Sequence, residues 1–369
     1  MSKAILVTGA DGYLGMRVTR KLLASDDAPL MLWVRSADEN EFRAKVSIMK
    51  DALATPDSRV SFYTGDLSAD NCFSSVQGRD VARIIHCAAV TRFNVDAQTA
   101  QSVNIDGTRR LLELAAQCPD LECLCYVSSI YASGMQQGTI EEEPIGEEAG
   151  FANHYERSKW AAERALIDSG GAIPWSIVRV ATVLADDESG HATQQNAVHN
   201  TLKLLFYGLM SVVPGLSSTP LYLITGDFAT EALVAAVSRG DRQKIYHACY
   251  SKDECLTLGE FVDLTHETFE RDASFQRRRV LKPLYTDLDA FNLLSDASTG
   301  FGDGIMKQAL SSVSPFARQL YIEKEVANEQ VRHLLGDAYS APDAAKFVRK
   351  TCEFLVASKW GRAPEVAVN

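Results

Sequence analysis

Tyr155 and Lys159 stand four residues apart in the run Tyr155-Glu156-Arg157-Ser158-Lys159. On a helix that spacing puts a phenol and an ammonium on one face. The lysine charge favours the phenolate, lowers the phenol's pKa from about 10 and makes it a usable proton donor near neutrality. Ser128-Ser129 ends an earlier apolar run, where a hydroxyl can hold a carbonyl oxygen for hydride attack. Further upstream lies Thr8-Gly9-Ala10-Asp11-Gly12-Tyr13-Leu14-Gly15. There Gly9 allows a tight turn, Gly12 lets backbone approach a diphosphate, and Gly15 permits close helix–strand packing. The helix that follows presents free N–H groups and a positive dipole end to the phosphates.

A second group of residues bears on which dinucleotide fits. The second strand-like run ends in Val34-Arg35-Ser36, at a position where NAD sites hold a carboxylate for the ribose 2′-hydroxyl. Arg35 cannot accept that bond, whereas a guanidinium suits a 2′-phosphate. Asp66, in Gly65-Asp66-Leu67, is placed either to bond the adenine amino group or to cap the following turn. His86, His154, His191 and His199 show no ligand spacing, so no metal is expected.

These groups need a scaffold, and the first half supplies one. Short β-branched runs at Ala4–Thr8, Leu30–Val34, Val60–Tyr63, Arg83–Cys87, Leu121–Ser128 and Trp175–Val180 alternate with helical patterns. The helical stretches run from Gly12 to Ala24, Ala97 to Gln117 and Tyr155 to Ser169. That alternation predicts an α/β fold, a doubly wound parallel Rossmann sheet. The expected nucleotide-binding domain covers residues 1–185, with 221–250 rejoining it through a strand at Ile245–Cys249. Helical patterns at Asn196–Val213 and Asp227–Ser238, and strandless stretches from Leu256 onward, suggest a smaller, mostly helical substrate domain from 186–220 and 251–369. The residues after Arg362 read as a loose tail.

Composition narrows the function class. The chain has 369 residues, 46% of them apolar and 23% charged, and a net charge of −11. It lacks the basic footprint of a nucleic-acid binder. The acidic runs Glu141-Glu142-Glu143 with Glu147-Glu148, and Asp186-Asp187-Glu188, read as solvated loops. Eight cysteines form no CxxC pair and no regular framework, which suits a reducing compartment. Met1-Ser2-Lys3 leads straight into a strand, leaving no room for a signal peptide. No apolar stretch approaches a membrane span, since the longest, Leu202–Leu216, carries Lys203. A cytoplasmic location is expected.

The chain resembles the extended short-chain dehydrogenase/reductase superfamily, and within it the thioester reductase and fatty acyl reductase ("male sterility") branch. The resemblance rests on Thr8–Gly15, Val34-Arg35, Gly65-Asp66-Leu67-Ser68, Ile85-His86-Cys87-Ala88-Ala89 and Asn104-Ile105-Asp106-Gly107-Thr108. It continues through Val127-Ser128-Ser129-Ile130-Tyr131, Asn153–Lys159, Leu202–Gly215 and Gly226-Asp227-Phe228, covering roughly residues 3–250. It implies Ser129, in register with Gly134, as the carbonyl-orienting hydroxyl, Tyr155 as proton donor, Lys159 as ribose ligand, and Asn104 as a steadying group. It implies NADP(H) as cofactor, held by Gly9, Asp11, Gly12, Tyr13, Leu14, Gly15, Arg35, Asp66, Leu67, Ala88, Ala89, Tyr155, Lys159, Val180 and Val183. The chain departs from the branch in having Val180 where a proline usually follows the strand-six arginine. It departs again in having Ala10 and Asp11 in the glycine loop, and Asp11 sits near a phosphate.

The resemblance implies an NADPH-dependent reductase of acyl thioesters or aldehydes. The substrate is a small acyl or carbonyl compound, carrier-bound in one version, and it arrives already activated because no adenylation or carrier domain is visible. The apolar residues Leu202, Leu204, Leu205, Phe206, Leu209 and Met210 either line an acyl channel or pack a core. Arg277-Arg278-Arg279 with Lys282 either contacts a phosphopantetheine arm, CoA or acidic carrier, or is a solvated turn. Two other readings keep the fold: a sugar-nucleotide epimerase, dehydratase or hydroxysteroid-type dehydrogenase, and a catalytically silent NADP-binding sensor. Arg35 argues against the NAD-retaining epimerases, and the intact Ser–Tyr–Lys set argues against the sensor.

Overall fold

The computed structural model of the protein describes residues 3–54, 57–299 and 313–361. The tail expected after Arg362 lies outside the described residues. The runs of β-branched and aliphatic residues form seven strands of one parallel sheet. They are β1 (Ala4–Thr8), β2 (Leu30–Arg35), β3 (Val60–Gly65), β4 (Val81–His86), β5 (Cys123–Ser129), β6 (Trp175–Val180) and β7 (Lys244–Ala248). Their spatial order is β7-β6-β5-β4-β1-β2-β3. The chain winds outward one way from β1 to β3 and then the other way from β4. The crevice between the ends of β1 and β4 is therefore the switch point at which such sheets bind ligands.

The strands are apolar on both faces because both are covered. On one side Ile5, Val7, Leu32 and Val178 pack against α1 (Tyr13–Ser25), α2 (Glu39–Leu53) and the later helix Gly226–Arg239. On the other, Leu6, Trp33, Leu124 and Ile177 pack against α3 (residues 97–116) and α4 (His154–Asp168). A third cluster gathers the second half of the chain. It joins α5 (Ala197–Phe206) to the helices Leu258–Phe269 and Ala344–Ala357 through Leu202, Phe206, Phe261, Phe269 and Phe347.

Three expectations change here. The helix expected to run from Asn196 to Val213 stops at Phe206, because Gly208 turns the chain at φ +69 and Val212–Pro214 becomes a strand. The stretch after Leu256 contains short strands, Leu284–Thr286 against Val212–Pro214 and Lys324–Val326 against Gly138–Ile140. The second pairing leads residues 324–335 back to the sheet, where Val326, Val331 and Leu335 join the cluster that holds Ile5 and Val178. The acidic runs are also more than solvated loops. Glu142 accepts hydrogen bonds from the backbone N–H groups of His247 (2.7 Å), Gln330 (2.5 Å) and Val331 (3.3 Å). Asp186 is buried and accepts from Tyr13 Oη at 2.7 Å and Thr193 Oγ1 at 3.0 Å. Glu142 thereby clips the returning segment to β7, and burial pushes its carboxyl up to about 7 against those bonds.

One buried ion pair ties α4 to the sheet. Arg179 on β6 is fully buried and pairs with Glu163 on α4 at 2.7 Å, using two nitrogens. Glu163 also accepts from Ser128 Oγ, and Arg179 contacts His247 Nε2 (3.0 Å) and the carbonyl of Glu143 (3.0 Å). Because each charge is hydrogen-bonded, the pair offsets its desolvation cost, but neither partner can be removed alone. Arg179→Met should lower the unfolding free energy by about 3–5 kcal/mol, since Glu163 is left buried and unpaired. Urea unfolding followed by circular dichroism measures this, and a loss near that of an exposed pair, below about 1 kcal/mol, would mean that the pair does not anchor α4.

Candidate functional site

The glycine loop closes against the chain end of β4. Gly9 adopts φ +64, and a Cβ there would stand 2.8 Å from the backbone N and Cα of Ala88. A Cβ on Gly15 would come within 2.1 Å of Gly9 O, so both positions require glycine. Gly12 differs, since its missing Cβ would meet only Gly9 O at 3.1 Å and otherwise points to open space. Gly12 is also the N-cap of α1 and brings no side-chain cap to the first turn. An open concavity facing uncapped N–H groups is what a diphosphate needs, so the residues present fit a dinucleotide. Thr8 Oγ1 bonds His86 Nδ1 at 2.7 Å and accepts from Ala88 N at 3.3 Å, fixing the β1 and β4 ends together. Burial, with help from Lys159, lowers His86 to about 3, so its imidazole is neutral. Ala89 follows Ala88 in the same partly buried strand-end loop.

The adenosine side of the crevice is more charged than the sequence suggests. Arg35 ends β2 with an exposed side chain and pairs through Nε with Asp66 at 3.0 Å. Asp66 accepts from Ser68 N at 2.9 Å as well, so it caps its turn and anchors Arg35. Leu67 is buried against Gly107. Asp11 is neutralised by Lys45 of α2, 2.9 Å away, and the same ammonium donates to Arg35 O at 2.5 Å. Lys45 escaped the sequence reading, although an acidic group in a phosphate-binding loop was a signal to look for a cation. Tyr13 turns its hydroxyl away from the loop to Asp186, while Leu14 packs toward the core. Val180 is buried at the end of β6, and Val183 lies in the short strand Thr182–Ala185 beside Leu223–Thr225.

Ser129, Tyr155 and Lys159 converge at the ends of β5 and α4. Asn153 caps α4 by accepting from Glu156 N, which sets the register that turns Tyr155 and Lys159 inward. Ser129, whose Oγ accepts from Tyr131 N at 3.3 Å, lies close enough to the Tyr155 phenol to favour its ionised form. Lys159 Nζ donates to Val127 O at 2.6 Å and lies 4.4 Å over the Tyr126 ring. Asn104 sits in a π-helical turn, Ala100–Asp106, within α3. That turn lets its amide bond both N and O of Val90 (2.8 and 2.9 Å) and Ser158 Oγ (2.8 Å). It therefore ties the loop after β4 to α4.

The electrostatics differ from expectation in one respect. Burial pushes the Tyr155 phenol up to about 12, with Ser129 opposing, and Lys159 does not pull it down. The lysine charge is spent on the Val127 carbonyl and the Tyr126 ring. Burial also lowers Lys159 itself to about 8, although Glu163 opposes.

Beside Ser129 opens an apolar cavity of about 110 Å³. Its wall begins at Ile130 and Tyr131, next in the chain after Ser129, and continues through Leu205, Met210, Phe261 and Phe316. Of the apolar stripe on α5 and beyond, Leu205 and Met210 face this cavity, whereas Leu202 and Phe206 are packed in the third cluster. Phe93 joins cavity to site, with its ring edge-on to Tyr155 (5.3 Å) and Tyr131 (5.2 Å). The sequence held no signal for Phe93, Tyr131 or Thr182, whose hydroxyl meets that of Tyr131 at 3.1 Å. Arg278 stacks on Phe206 (4.6 Å) and bonds its carbonyl while remaining exposed, as do Arg277 and Arg279. Among the described residues no cluster of metal ligands occurs, and no helix is long and apolar enough to cross a membrane.

Comparison with known proteins bears on the family and the fold. The family model described as male sterility protein matches residues 7–233. The fatty acyl-CoA reductase wat of Drosophila melanogaster is 23% identical over 275 residues, 64% of this chain and 52% of that protein. The chain spans about half the length of that relative. The terminal R domain of the myxalamid PKS-NRPS pathway superposes with a TM-score of 0.77 at 21% identity, covering 99% of this chain and 93% of its own. A UDP-glucuronic acid 4-epimerase from Bacillus cereus superposes at 0.67 and 15% identity, covering 97% and 99% of the two chains. At those identities the superpositions show the fold alone.

The pKa of Lys159 gives a pH test without added nucleotide. An unfolded lysine titrates near about 10.4 and the folded one near about 8, so between those values the unfolded state binds more protons. The lysine contribution to stability should therefore rise with pH from about 8 to about 10.4, with Lys324, also lowered to about 8 by burial, acting in the same sense, while the buried thiols of Cys72 and Cys118, raised to about 11, and of Cys87 and Cys255, raised to about 12, pull the total down above about pH 8.5. Above about 10 the raised Tyr155 opposes it, because the unfolded phenol loses its proton first. Lys159→Met should remove the Lys159 share of that contribution, so stability falls more steeply across this range in the variant than in the wild type. Urea midpoints at pH 7.5 to 10 measure it, and an unchanged slope would place Lys159 in water-like surroundings.

Proposed function

The chain belongs to the male sterility protein family, in the thioester and fatty acyl reductase branch of the extended short-chain dehydrogenase/reductases, and from that premise we propose that it is an NADPH-dependent reductase of acyl thioesters or aldehydes. The observation that carries the reading is an apolar cavity walled by Ile130 and Tyr131, next in the chain after Ser129, with Phe93 packed between Tyr131 and Tyr155. In this reading residues 1–185 with 221–250 hold the nucleotide, and 186–220 with 251–369 form the substrate side, from which 324–335 reach back to the sheet.

The dinucleotide, when bound, supplies the hydride. The glycine loop from Gly9 to Gly15, with Tyr13 and Leu14 at the helix start, would hold its diphosphate, and Lys159 its ribose beside Ala88, Ala89, Val180 and Val183. Arg35 and Lys45 would receive the 2′-phosphate, and Leu67 with Asp66 would border the adenine. Ser129 donates a hydrogen bond to the substrate carbonyl oxygen and orients it. Tyr155 donates a second hydrogen bond and then its proton, so negative charge never accumulates on that oxygen. Its high pKa keeps the phenol protonated and ready to donate. With a thioester, the hemithioacetal so formed expels the thiol and leaves an aldehyde. An apolar cavity suits the alkyl part of such a substrate better than a nucleotide sugar.

Tyr155→Phe should reduce turnover by roughly 10²–10⁴ while leaving NADPH affinity within about twofold. Stopped-flow reduction and fluorescence titration separate the two, and near-normal turnover would remove Tyr155 from the proton transfer. Arg35→Ala should weaken NADPH binding about 10- to 150-fold and NADH binding little, the worth of one charge-assisted hydrogen bond. The substrate class is tested by kcat/KM across aldehydes and acyl-CoA thioesters of increasing length, which should rise by about fourfold per methylene until the cavity ends. A flat series, or turnover of UDP-sugars alone, would reject the acyl reading.

A further inference from the structure

Most polar side chains on the wall of the apolar cavity use their donors inside the protein. Thr201 Oγ1 donates to Ala197 O at 2.9 Å, and Thr219 Oγ1 to Leu320 O at 2.7 Å. Tyr222 Oη donates to Lys324 O at 3.0 Å and accepts from Val326 N at 2.9 Å. Gln319 Nε2 donates to Gly134 O (3.0 Å) and Met135 Sδ (3.9 Å). The Lys324 ammonium has Ser133 Oγ, Gly134 O and Gln319 Oε1 as its three acceptors. Tyr131 and Thr182 differ.

Their hydroxyls meet each other at 3.1 Å, and both side chains line the cavity and are partly exposed to it. A hydroxyl has one proton to donate and two lone pairs to accept with. Two hydroxyls that share one hydrogen bond therefore keep one O–H over, and it has no acceptor among the described residues. Burial raises the Tyr131 phenol above its ordinary value, so that proton is not lost near neutrality. An O–H left unpaired in apolar surroundings is costly, and an acceptor brought by a ligand relieves the cost.

The place of the pair says which part of a ligand this would be. Tyr131 N donates to Ser129 Oγ at 3.3 Å, and the Phe93 ring stands edge-on to both Tyr131 and Tyr155. Thr182 comes two residues after the end of β6. The free O–H thus borders the Ser129 and Tyr155 end of the cavity, where the reacting carbonyl of an acyl substrate belongs.

We propose that Tyr131 and Thr182 are specificity-determining residues whose free O–H receives an oxygen on the acyl chain close to its thioester, so that chains hydroxylated near the reacting carbonyl are preferred over plain alkyl chains. The inference rests on the acyl reading of the cavity and narrows its substrate class. A wall without a free donor has the opposite preference, because a hydroxyl that enters it gives up water and gains no partner.

The test compares kcat/KM for decanoyl-CoA with that for each enantiomer of 3-hydroxydecanoyl-CoA, with NADPH as reductant and the full-length protein. In the wild type the better enantiomer should exceed decanoyl-CoA by about three- to tenfold, the worth of one neutral hydrogen bond. Tyr131→Phe/Thr182→Val keeps the shape of the wall and removes both hydroxyls, so it should bring that ratio to one or below. The ratio sets two substrates against each other on one protein, and a change in folded fraction or overall rate cancels from it. A wild type that reduces decanoyl-CoA and favours neither enantiomer, or a double variant that keeps the preference, would overturn the proposal and leave the acyl reading intact. A wild type that reduces none of these thioesters would overturn the acyl reading, and this inference with it.

Discussion

Everything the site does depends on α4 being held at one depth and one rotation against the sheet, and the Arg179–Glu163 pair does that. Glu163 is one turn beyond Lys159, and its carboxylate engages both Arg179 on β6 and Ser128 on β5. A helix docked by apolar contacts alone can slide by fractions of an ångström at small cost. A two-nitrogen ion pair in a dry interface cannot, since any displacement exposes unpaired charge to a low-dielectric surround. With α4 fixed, Tyr155 stands near Ser129 and Lys159 reaches the Val127 carbonyl. The branch's usual proline after this arginine is absent here, yet the arginine's contacts to α4 are made in full.

The parts of the structure that were legible from sequence are those governed by local rules. Period and turn chemistry located every strand of the central sheet to within a residue or two. The glycine spacing in Gly9–Gly15 encodes backbone approaches that the structure shows as contacts of 2.1 to 2.8 Å. Failures came where distant segments meet. Glu142 and Asp186 look like solvated acids in a charged run, but each finds backbone or hydroxyl donors from elements more than a hundred residues away. The Tyr155 pKa was misjudged for a related reason. Spacing on a helix tells which side chains share a face and nothing about how dry that face becomes when Phe93 and Tyr131 cover it.

The second half of the chain illustrates the same limit from the other side. Its helices pack through an aromatic cluster around Phe206 and Phe269, and a purely periodic reading of Asn196–Val213 makes the whole run one helix. Gly208 ended it, and the residues beyond became the strand that lines the cavity with Val213. The two halves are joined by polar links at opposite ends of the site. Asp186 receives Tyr13 from α1, and Lys324 reaches Ser133 in the turn after Ser129. The glycine-loop crevice and the apolar cavity are in this way linked through polar contacts, and the proposed hydride transfer requires the two to be held at short distance.

The central claim is that a hydride reaches the carbonyl carbon of an acyl chain held in that cavity. The direct measurement is isotopic: incubation with decanoyl-CoA and NADPH deuterated at the transferable position of the nicotinamide, followed by mass spectrometry of the products. The account predicts decanal or decanol carrying deuterium at C1, with free CoA released in equal amount to the acyl chain reduced. Decanoic acid with CoA release and no deuterium incorporation, or recovery of the thioester unchanged beside an active turnover of UDP-sugars, would contradict it.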